Sequence, residues 1–149
     1  MDRIATSFSH IIYPVCDIGE TVEFYTKNLG FYLLRRYSTS PGRESSYLGL
    51  DDVLLELTQS PTAAQESPEG RLENRIGLTV ADLDGALAEL KGKGVEVAIE
   101  PYEARTFWGR QAAIKDPSGY SVSLREWRAP DNPHFEHWQP RHEGMVRTG

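Results

Sequence analysis

Four side chains with the chemistry to bind a metal ion or an anion lie at matching places in the two halves of the chain. His10 and Glu56 are 46 residues apart in the first half, and Arg75 and Ser123 are 48 apart in the second. Imidazole and carboxylate groups can ligate a divalent metal or move a proton, and a guanidinium binds carboxylates and phosphates. These residues predict a site for a small polar molecule, with Glu56 and His10 as candidate catalytic groups.

The segments that hold these residues repeat one pattern. Residues 9–19, "SHIIYPVCDIG", and residues 74–84, "NRIGLTVADLD", each combine an apolar stretch with an aspartate seven residues after His10 or Arg75. An apolar, β-branched stretch is typical of a strand, and an aspartate before an amphipathic segment is typical of a helix N-cap. The chain therefore contains two copies of one plan.

In each copy the sequence pattern predicts one helix and four strands in the order βαβββ. In the first copy the apolar residues of "IGETVEFYTKNLG" recur at helical spacing, and three strand-like segments follow. In the second copy "VEVAIEP", "GRQAAIK" and "YSVSLREW" are the matching strands. We expect an α+β fold in which two tandem βαβββ modules form a cupped, partly open mixed sheet with the helices on its outer face.

Composition places the module boundaries. Residues 6–60 form the first module and residues 73–128 the second, because the predicted elements repeat over these ranges. Residues 61–72 are rich in Pro, Ser, Ala and Gly and read as a linker, and residues 129–149 form an extension with no counterpart in the first half. A linker of this length allows the modules to pair within one chain or by exchange between two chains.

Side-chain alternation predicts which strand residues face a ligand. Along "VLLEL" the leucines at 55 and 57 share one face, so Glu56 points the other way. Along "YSVSLRE" Val122 and Leu124 share a face and Ser123 points opposite. Since the apolar faces should meet the helices, we expect Glu56 and Ser123 to face the concave side.

Charge and cysteine content exclude several classes of function. The net charge is −6 with no broad basic patch, so nucleic acid is not an expected partner. No apolar run is long enough to span a membrane, and the first ten residues lack the core of a signal peptide, so we expect a cytoplasmic protein. Cys16 is the single cysteine; it cannot form an internal disulfide and is expected to pack beside the first strand.

Over residues 8 to 127 the sequence resembles the vicinal oxygen chelate superfamily, which includes glyoxalase I, extradiol dioxygenases, and fosfomycin and bleomycin resistance proteins. The resemblance rests on "HIIYPVCDIGETVEFYTKNLGFYLLRR", "LLELTQ", "RIGLTVADLDGALAELKGKGV" and "FWGRQAAIKDPSGYSVSLRE". In their amino-acid sequence these segments are most similar to bacterial glyoxalase I. The resemblance implies a small-molecule ligand or substrate and a homodimer.

The resemblance also implies a divalent metal, Ni, Zn, Fe or Mn, held by a histidine and a glutamate from each module. His10 and Glu56 match the first pair, so they are candidate metal ligands. Arg75 and Ser123 stand where the second pair is expected, so only half of the ligand set is present. A lactoylglutathione lyase is not expected, because the second glutamate is absent.

Of the two residues that differ from the expected metal ligands, Arg75 has the larger electrostatic effect. A guanidinium stays protonated, does not ligate metals, and repels a dication in a site of reduced dielectric. We hypothesise that Arg75 takes the place of the metal charge and pairs with Glu56, or captures an anionic group of a ligand. A third metal ligand from a partner chain or from the extension remains the alternative; in the extension, "HFEHWQPRH" contains His134, Glu136, His137 and His142.

Three functions remain open: a lyase, isomerase or dioxygenase that acts on a small anionic or oxygenated substrate held between the modules; a metal-free binding or sequestering protein; and a metal-free enzyme. The last would use Glu56 or His10 as the base and Arg75 to stabilise an oxyanion. The candidate ligand-binding residues are Arg75, Ser123, Trp108, Tyr47, Tyr120 and Arg125.

Overall fold

Two compact units make up the chain, Met1–Glu66 and Ser67–Gly149. The computed structural model describes residues 4–60, 74–105 and 107–128, without the side chains of Asn74 and Arg75. The described residues of each unit form a four-stranded mixed sheet and one helix in the order βαβββ, so the predicted α+β class and the repeated plan are confirmed. The predicted linker, 61–72, and the extension, 129–149, lie outside the described residues.

The two sheets have the same topology. In each, the first strand runs parallel to the last, and the remaining pairs are antiparallel. The spatial orders are β1-β4-β3-β2 and β5-β8-β7-β6. The elements of the first unit are β1 Ile11–Val15, α1 Ile18–Leu29, β2 Tyr32–Ser40, β3 Arg43–Leu50 and β4 Val53–Gln59. The elements of the second unit are β5 Asn74–Thr79, α2 Leu83–Gly92, β6 Val97–Glu103, β7 Gly109–Lys115 and β8 Ser121–Trp127.

Both helices begin at the predicted aspartates. The Asp17 carboxylate accepts a hydrogen bond from the Glu20 amide at 2.9 Å, and Asp82 does the same for the Gly85 amide at 3.1 Å. These bonds satisfy amides that have no partner within the helix. At the other end of α1, Gly30 adopts a φ of 81°, which favours glycine and ends the helix.

A second bond ties each helix to the last strand of its sheet. Gln59 Oε1 accepts from the Ile18 amide at 2.8 Å, and Glu126 Oε2 accepts from the Leu83 amide at 2.7 Å. In both units, therefore, a hydrogen bond from the first residue of the helix to a side chain of the last strand fixes the start of the helix on the sheet. Neither described helix, of 12 and 10 residues, is long and apolar enough to cross a membrane.

Alternation along β4 and β8 separates the side chains that face the helix from those on the opposite face of each sheet. Leu55 and Leu57 are buried beneath α1, and Val122 and Leu124 are buried in the second unit, against which α2 packs. Burying one such side chain contributes roughly 1.5–3 kcal/mol. Since neighbours on a strand point to opposite faces, Glu56 and the other residues between these apolar positions are directed away from the helices.

We expect Leu57→Ala to lower the free energy of unfolding by about 2–5 kcal/mol, because Leu57 is fully buried and its loss leaves a cavity under α1. Urea denaturation followed by circular dichroism measures the change. Val53→Ala on the same strand is the control, since Val53 is exposed and should change stability by less than about 1 kcal/mol. Equal effects from the two variants would contradict the burial of Leu57 beneath α1.

Candidate functional site

His10 and Glu56 are joined directly in the first unit. His10 immediately precedes β1, which runs parallel to β4 with Ile12 opposite Glu56. His10 Nε2 lies 2.8 Å from Glu56 Oε2, and the two side chains are 23% and 14% exposed. Two residues far apart in sequence therefore form a partly buried, hydrogen-bonded pair on the open face of the sheet.

The hydrogen bonds of this pair assign the protons of the imidazole. An ionised carboxylate can only accept, so His10 Nε2 carries the proton that it donates to Glu56. In the neutral imidazole Nδ1 is then an acceptor. It accepts a hydrogen bond from the Ser9 hydroxyl, whose Oγ lies 2.6 Å away. The Nδ1 atom is therefore the proton-accepting position of His10.

Two tyrosines complete the site. Tyr47 of β3 lies opposite Glu56, and its ring meets the His10 ring edge-on with centroids 5.5 Å apart. The Tyr37 ring stacks beside that of Tyr47 at 6.1 Å, and the Tyr37 hydroxyl donates to Glu56 Oε1 at 3.3 Å. His10, Tyr37, Tyr47 and Glu56 form one connected group, called here the Glu56 cluster.

The phenol of Tyr47 is held neutral by its surroundings. Partial burial raises the pKa of Tyr47 most, followed by its hydrogen bond with Tyr37 and the negative charge of Glu56. Arg35, which lies opposite Tyr47 in β2, lowers the pKa by its positive charge. The net pKa is above the ordinary tyrosine value, so Tyr47 is a hydrogen-bond donor at physiological pH.

Tyr32 adds a third phenol ring to the same face of the sheet. Tyr32 pairs with Gly49 across β2 and β3, and a Cβ atom on Gly49 would overlap the Tyr32 ring. Gly49 is two residues from Tyr47, so both positions are directed to the same face. Glycine at 49 thus allows the Tyr32 ring to lie flat against the sheet.

Tyr37 and Arg35 were not predicted as site residues from the sequence. Their spacing of two in "RRYS" is a signal that they share a face. A register shift between Leu33 and Arg35, however, sets which face that is, and the sequence does not reveal this irregularity. Tyr37 and Arg35 were therefore identifiable only after the pairing of β2 with β3 was known.

The predicted site residues of the second unit lie on different parts of its sheet. Ser123 and Arg125 are two residues apart on β8, and the Arg125 guanidinium lies over the rings of Phe107 and Trp127. Trp108 is 40% exposed at the start of β7, whereas Tyr120 is only 3% exposed, and its amide donates to the Asp116 carboxylate at 3.0 Å. Tyr120 thus lies in the interior rather than along an open face.

Arg75 belongs to β5, but its side chain is outside what the structure describes, so its predicted pairing with Glu56 stays a hypothesis. Within the described part, Glu56 is bonded instead to His10 and Tyr37. The tail histidines considered as metal ligands also lie outside the described residues. Cys16 is not part of a disulfide and is partly exposed beside β1.

The donor set of the described residues does not match the metal site that the resemblance implies. No group of three or more His, Cys, Asp or Glu side chains in ranges 4–60, 74–105 and 107–128 is placed to hold a metal ion. His10 and Glu56 are bonded to each other, and Ser123 offers a hydroxyl, which is a weak ligand for a divalent ion.

A groove of about 1040 Å³ also lies in the first unit, between the start of α1 and the β2–β3 turn. Its polar groups are largely satisfied: Arg36 pairs with Glu44 at 2.9 Å, and Asp17 and Gln59 cap the helix. None of the Glu56 cluster lines it. The cluster, with its connected acid, base and phenols, is therefore the stronger candidate site.

Comparisons with known proteins match most of the chain. Residues 7–124 match the family model of the Glyoxalase/Bleomycin resistance protein/Dioxygenase superfamily. A probable chloroplastic lactoylglutathione lyase from Arabidopsis thaliana is 30% identical over 94% of this chain and 39% of its own length. A probable lactoylglutathione lyase from Vibrio cholerae is 28% identical over 77% of this chain and 86% of its own.

Among solved structures, an antibiotic binding protein, TnmS3 from Streptomyces sp. CB03234, is 27% identical with a TM-score of 0.63, and the match covers 83% of this chain and 100% of that one. The chain spans about two fifths of the length of two Arabidopsis thaliana relatives that it matches, a lactoylglutathione lyase and a probable one, at 43% and 39%. The similar proteins thus include both enzymes and a binding protein.

We expect the phenol of Tyr47 to titrate above its ordinary pKa, and Glu56→Gln to lower that pKa by removing a nearby negative charge. The raised pKa favours the folded state below the ordinary tyrosine pKa, and this contribution is lost as pH rises through the pKa of the folded protein. Carbon-13 NMR of Cζ-labelled tyrosine measures the titration, and Tyr47→Phe assigns the signal. Glu44→Gln, outside the cluster, is the control; an equal shift in both variants would contradict the geometry.

Proposed function

Because this chain belongs to the Glyoxalase/Bleomycin resistance protein/Dioxygenase superfamily, we propose that it binds a small, planar, oxygenated molecule at the Glu56 cluster without the help of a metal ion. The observation on which this proposal depends is the direct bond between His10 Nε2 and Glu56 Oε2. The two groups that would ligate a metal stabilise each other, and the remaining oxygen of Glu56 accepts from Tyr37.

The cluster offers the contacts that a flat oxygenated ligand needs. The rings of Tyr37 and Tyr47 provide aromatic surface, against which another ring can stack or pack edge-on. Glu56 can accept a hydrogen bond from a ligand hydroxyl, and the Tyr47 hydroxyl can donate to a ligand oxygen in place of Tyr37. Arg35, beside Tyr47, favours a ligand with partial or full negative charge.

The similarity to TnmS3 supports a binding role. That protein is an antibiotic binding protein, and this chain matches its whole length at 27% identity. The lactoylglutathione lyases are equally similar in sequence, but Arg75 and Ser123 stand where the resemblance assigns the second histidine and glutamate. A binding or sequestering function requires no metal-bound glutamate, so it agrees better with this residue set than lactoylglutathione lyase activity does.

We expect protein dialysed against EDTA to bind 2,3-dihydroxynaphthalene, a planar vicinal diol, and Tyr47→Ala to weaken this binding about tenfold, the effect of losing roughly 1.4 kcal/mol of contact energy. Fluorescence anisotropy titration measures the affinity. Tyr102→Ala is the matched control, because Tyr102 is a partly exposed tyrosine of the second unit. Binding that appears only after addition of Ni²⁺ or Zn²⁺, or an equal loss in both variants, would contradict a metal-free site at the cluster.

A metal-free enzyme is the second candidate, and the chain of bonds Ser9–His10–Glu56 favours it. Glu56 orients the imidazole and would stabilise the imidazolium that forms when Nδ1 accepts a proton. His10 Nδ1 would then remove a proton from carbon beside a carbonyl group, as a lyase or isomerase requires. A neighbouring donor such as Tyr47 would stabilise the resulting oxyanion.

For this candidate we expect the protein to catalyse deuterium incorporation into dihydroxyacetone in D₂O, followed by proton NMR. His10→Gln should reduce the rate at least about a hundredfold, the usual contribution of a general base. Cys16→Ser is the control, since the thiol has no role in the cluster. Exchange that continues unchanged in His10→Gln would eliminate His10 as the base and leave binding as the function.

The homodimer and the cytoplasmic location remain proposals based on the resemblance and on the sequence. Neither is needed for ligand binding at the Glu56 cluster, since all four of its residues belong to the first unit of one chain.

A further inference from the structure

Two polar groups on one strand of the second unit lack hydrogen-bond partners. Ser123 is 2% exposed, and neither its Oγ nor the buried Nε of Arg125 has a partner among the described residues. Leaving a buried donor unsatisfied costs about 1–3 kcal/mol. Ser123 and Arg125 are two residues apart and lie on the same face of the strand, so two unsatisfied groups occur side by side. A bound ligand would supply the missing acceptor.

Both groups belong to the face of β8 that is turned away from α2. Val122 and Leu124 are buried in the core, and the Glu126 carboxylate accepts from the Leu83 amide at the start of α2. These three side chains fix the helix side of the strand. By alternation, Ser123 and Arg125 are directed to the opposite face of the sheet.

Small residues flank Ser123 on both neighbouring strands. Gly77 of β5 and Ala113 of β7 lie opposite it in the strand pairing. A Cβ atom added to Gly77 would meet no other atom within 4 Å, so there is open space beside the serine. Gly77 is exposed, whereas Ala113 and Ser123 are 1% and 2% exposed, so the open space above Gly77 is the approach to the serine. These three residues are called the recess, and the serine hydroxyl needs only to turn about its Cα–Cβ bond to point into the space above Gly77.

The positive charge at the edge of this recess is held by aromatic rings. The guanidinium carbon of Arg125 lies 4.8 Å from the centre of the Phe107 ring and 5.4 Å from that of Trp127. Trp127 is itself oriented by a hydrogen bond from its indole nitrogen to Thr79 Oγ1, at 3.1 Å. Contact with ring faces positions the cation without using up its hydrogen-bond donors.

We propose that the recess formed by Gly77, Ala113 and Ser123, with Arg125 at its edge, binds the carboxylate group of a small organic acid. The Ser123 hydroxyl and the Arg125 Nε–H each donate to a carboxylate oxygen, and one guanidinium balances one negative charge. A phosphate dianion carries a second negative charge, which the Arg125 guanidinium does not balance. This site uses only residues of the second unit and does not depend on the proposed function of the Glu56 cluster.

Acetate is the test ligand, and acetamide is its neutral isostere. Nitrogen-15 NMR of the full chain, at constant ionic strength, follows the Trp127 indole signal and the amides of Gly77 and Ser123. We expect saturable shifts with acetate and binding of acetamide at least about tenfold weaker, because the amide lacks the charge that Arg125 recognises. Equal affinities for the two, tighter binding of phosphate, or shifts confined to other residues would overturn the proposal.

Two variants test the recess itself. Gly77→Val should fold, since its side chain enters open space, and should weaken acetate binding at least about tenfold by filling that space. Gly92→Val is the matched control: its Cβ also meets no atom within 4 Å, but it lies at the end of α2. Unchanged binding in Gly77→Val would place the ligand elsewhere and overturn the proposal.

Ser123→Ala separates a ligand-binding hydroxyl from a structural one. We expect acetate binding to weaken about three- to tenfold, the usual effect of one hydrogen bond. In the absence of acetate, the midpoint of thermal unfolding should rise, because the variant removes a buried donor that has no partner. A lower midpoint, or unchanged acetate affinity, would mean that the hydroxyl has a structural role and would overturn the proposal.

Discussion

The alternation of side chains along β4 is the constraint on which the candidate site depends. Leu55 and Leu57 must be buried beneath α1, so Glu56 between them must face away from the core. A slip of one residue in this strand would bury the carboxylate and expose both leucines. The free energy gained by burying the leucines therefore also holds Glu56 at the position where His10 and Tyr37 reach it.

The two units attach the helix to the sheet in the same way, but they differ in the side chains on the sheet face opposite the helix. Each begins its helix at an aspartate and ties that helix to the last strand through a side chain, Gln59 or Glu126. On this opposite face, the first unit pairs a carboxylate with an imidazole and a phenol. In the described residues of the second unit, the Ser123 hydroxyl and the Arg125 Nε have no hydrogen-bond partner. A shared fold therefore does not determine a shared chemistry, and function must be argued from each site.

The sequence predicted much of the candidate site, but not the partners of its residues. Alternation identified Glu56, and the repeat identified His10, because both signals are local. Arg35 and Tyr37 escaped prediction because the shift in register after Leu33 decides which residues of β2 lie beside Tyr47 and Glu56. Tyr120 has the residue type of a ligand contact, yet its neighbours bury it.

The sequence by itself determined the βαβββ order of each unit, the helix caps at Asp17 and Asp82, and the strand residues that face away from the core. These features depend on short-range periodicity and on hydrogen bonds between residues a few positions apart. Only the tertiary structure decided that Glu56 is bonded to His10 and Tyr37, and that Ser123 lies beside open space at Gly77. Those facts depend on which strands are neighbours and in which register they pair, and long-range packing sets both.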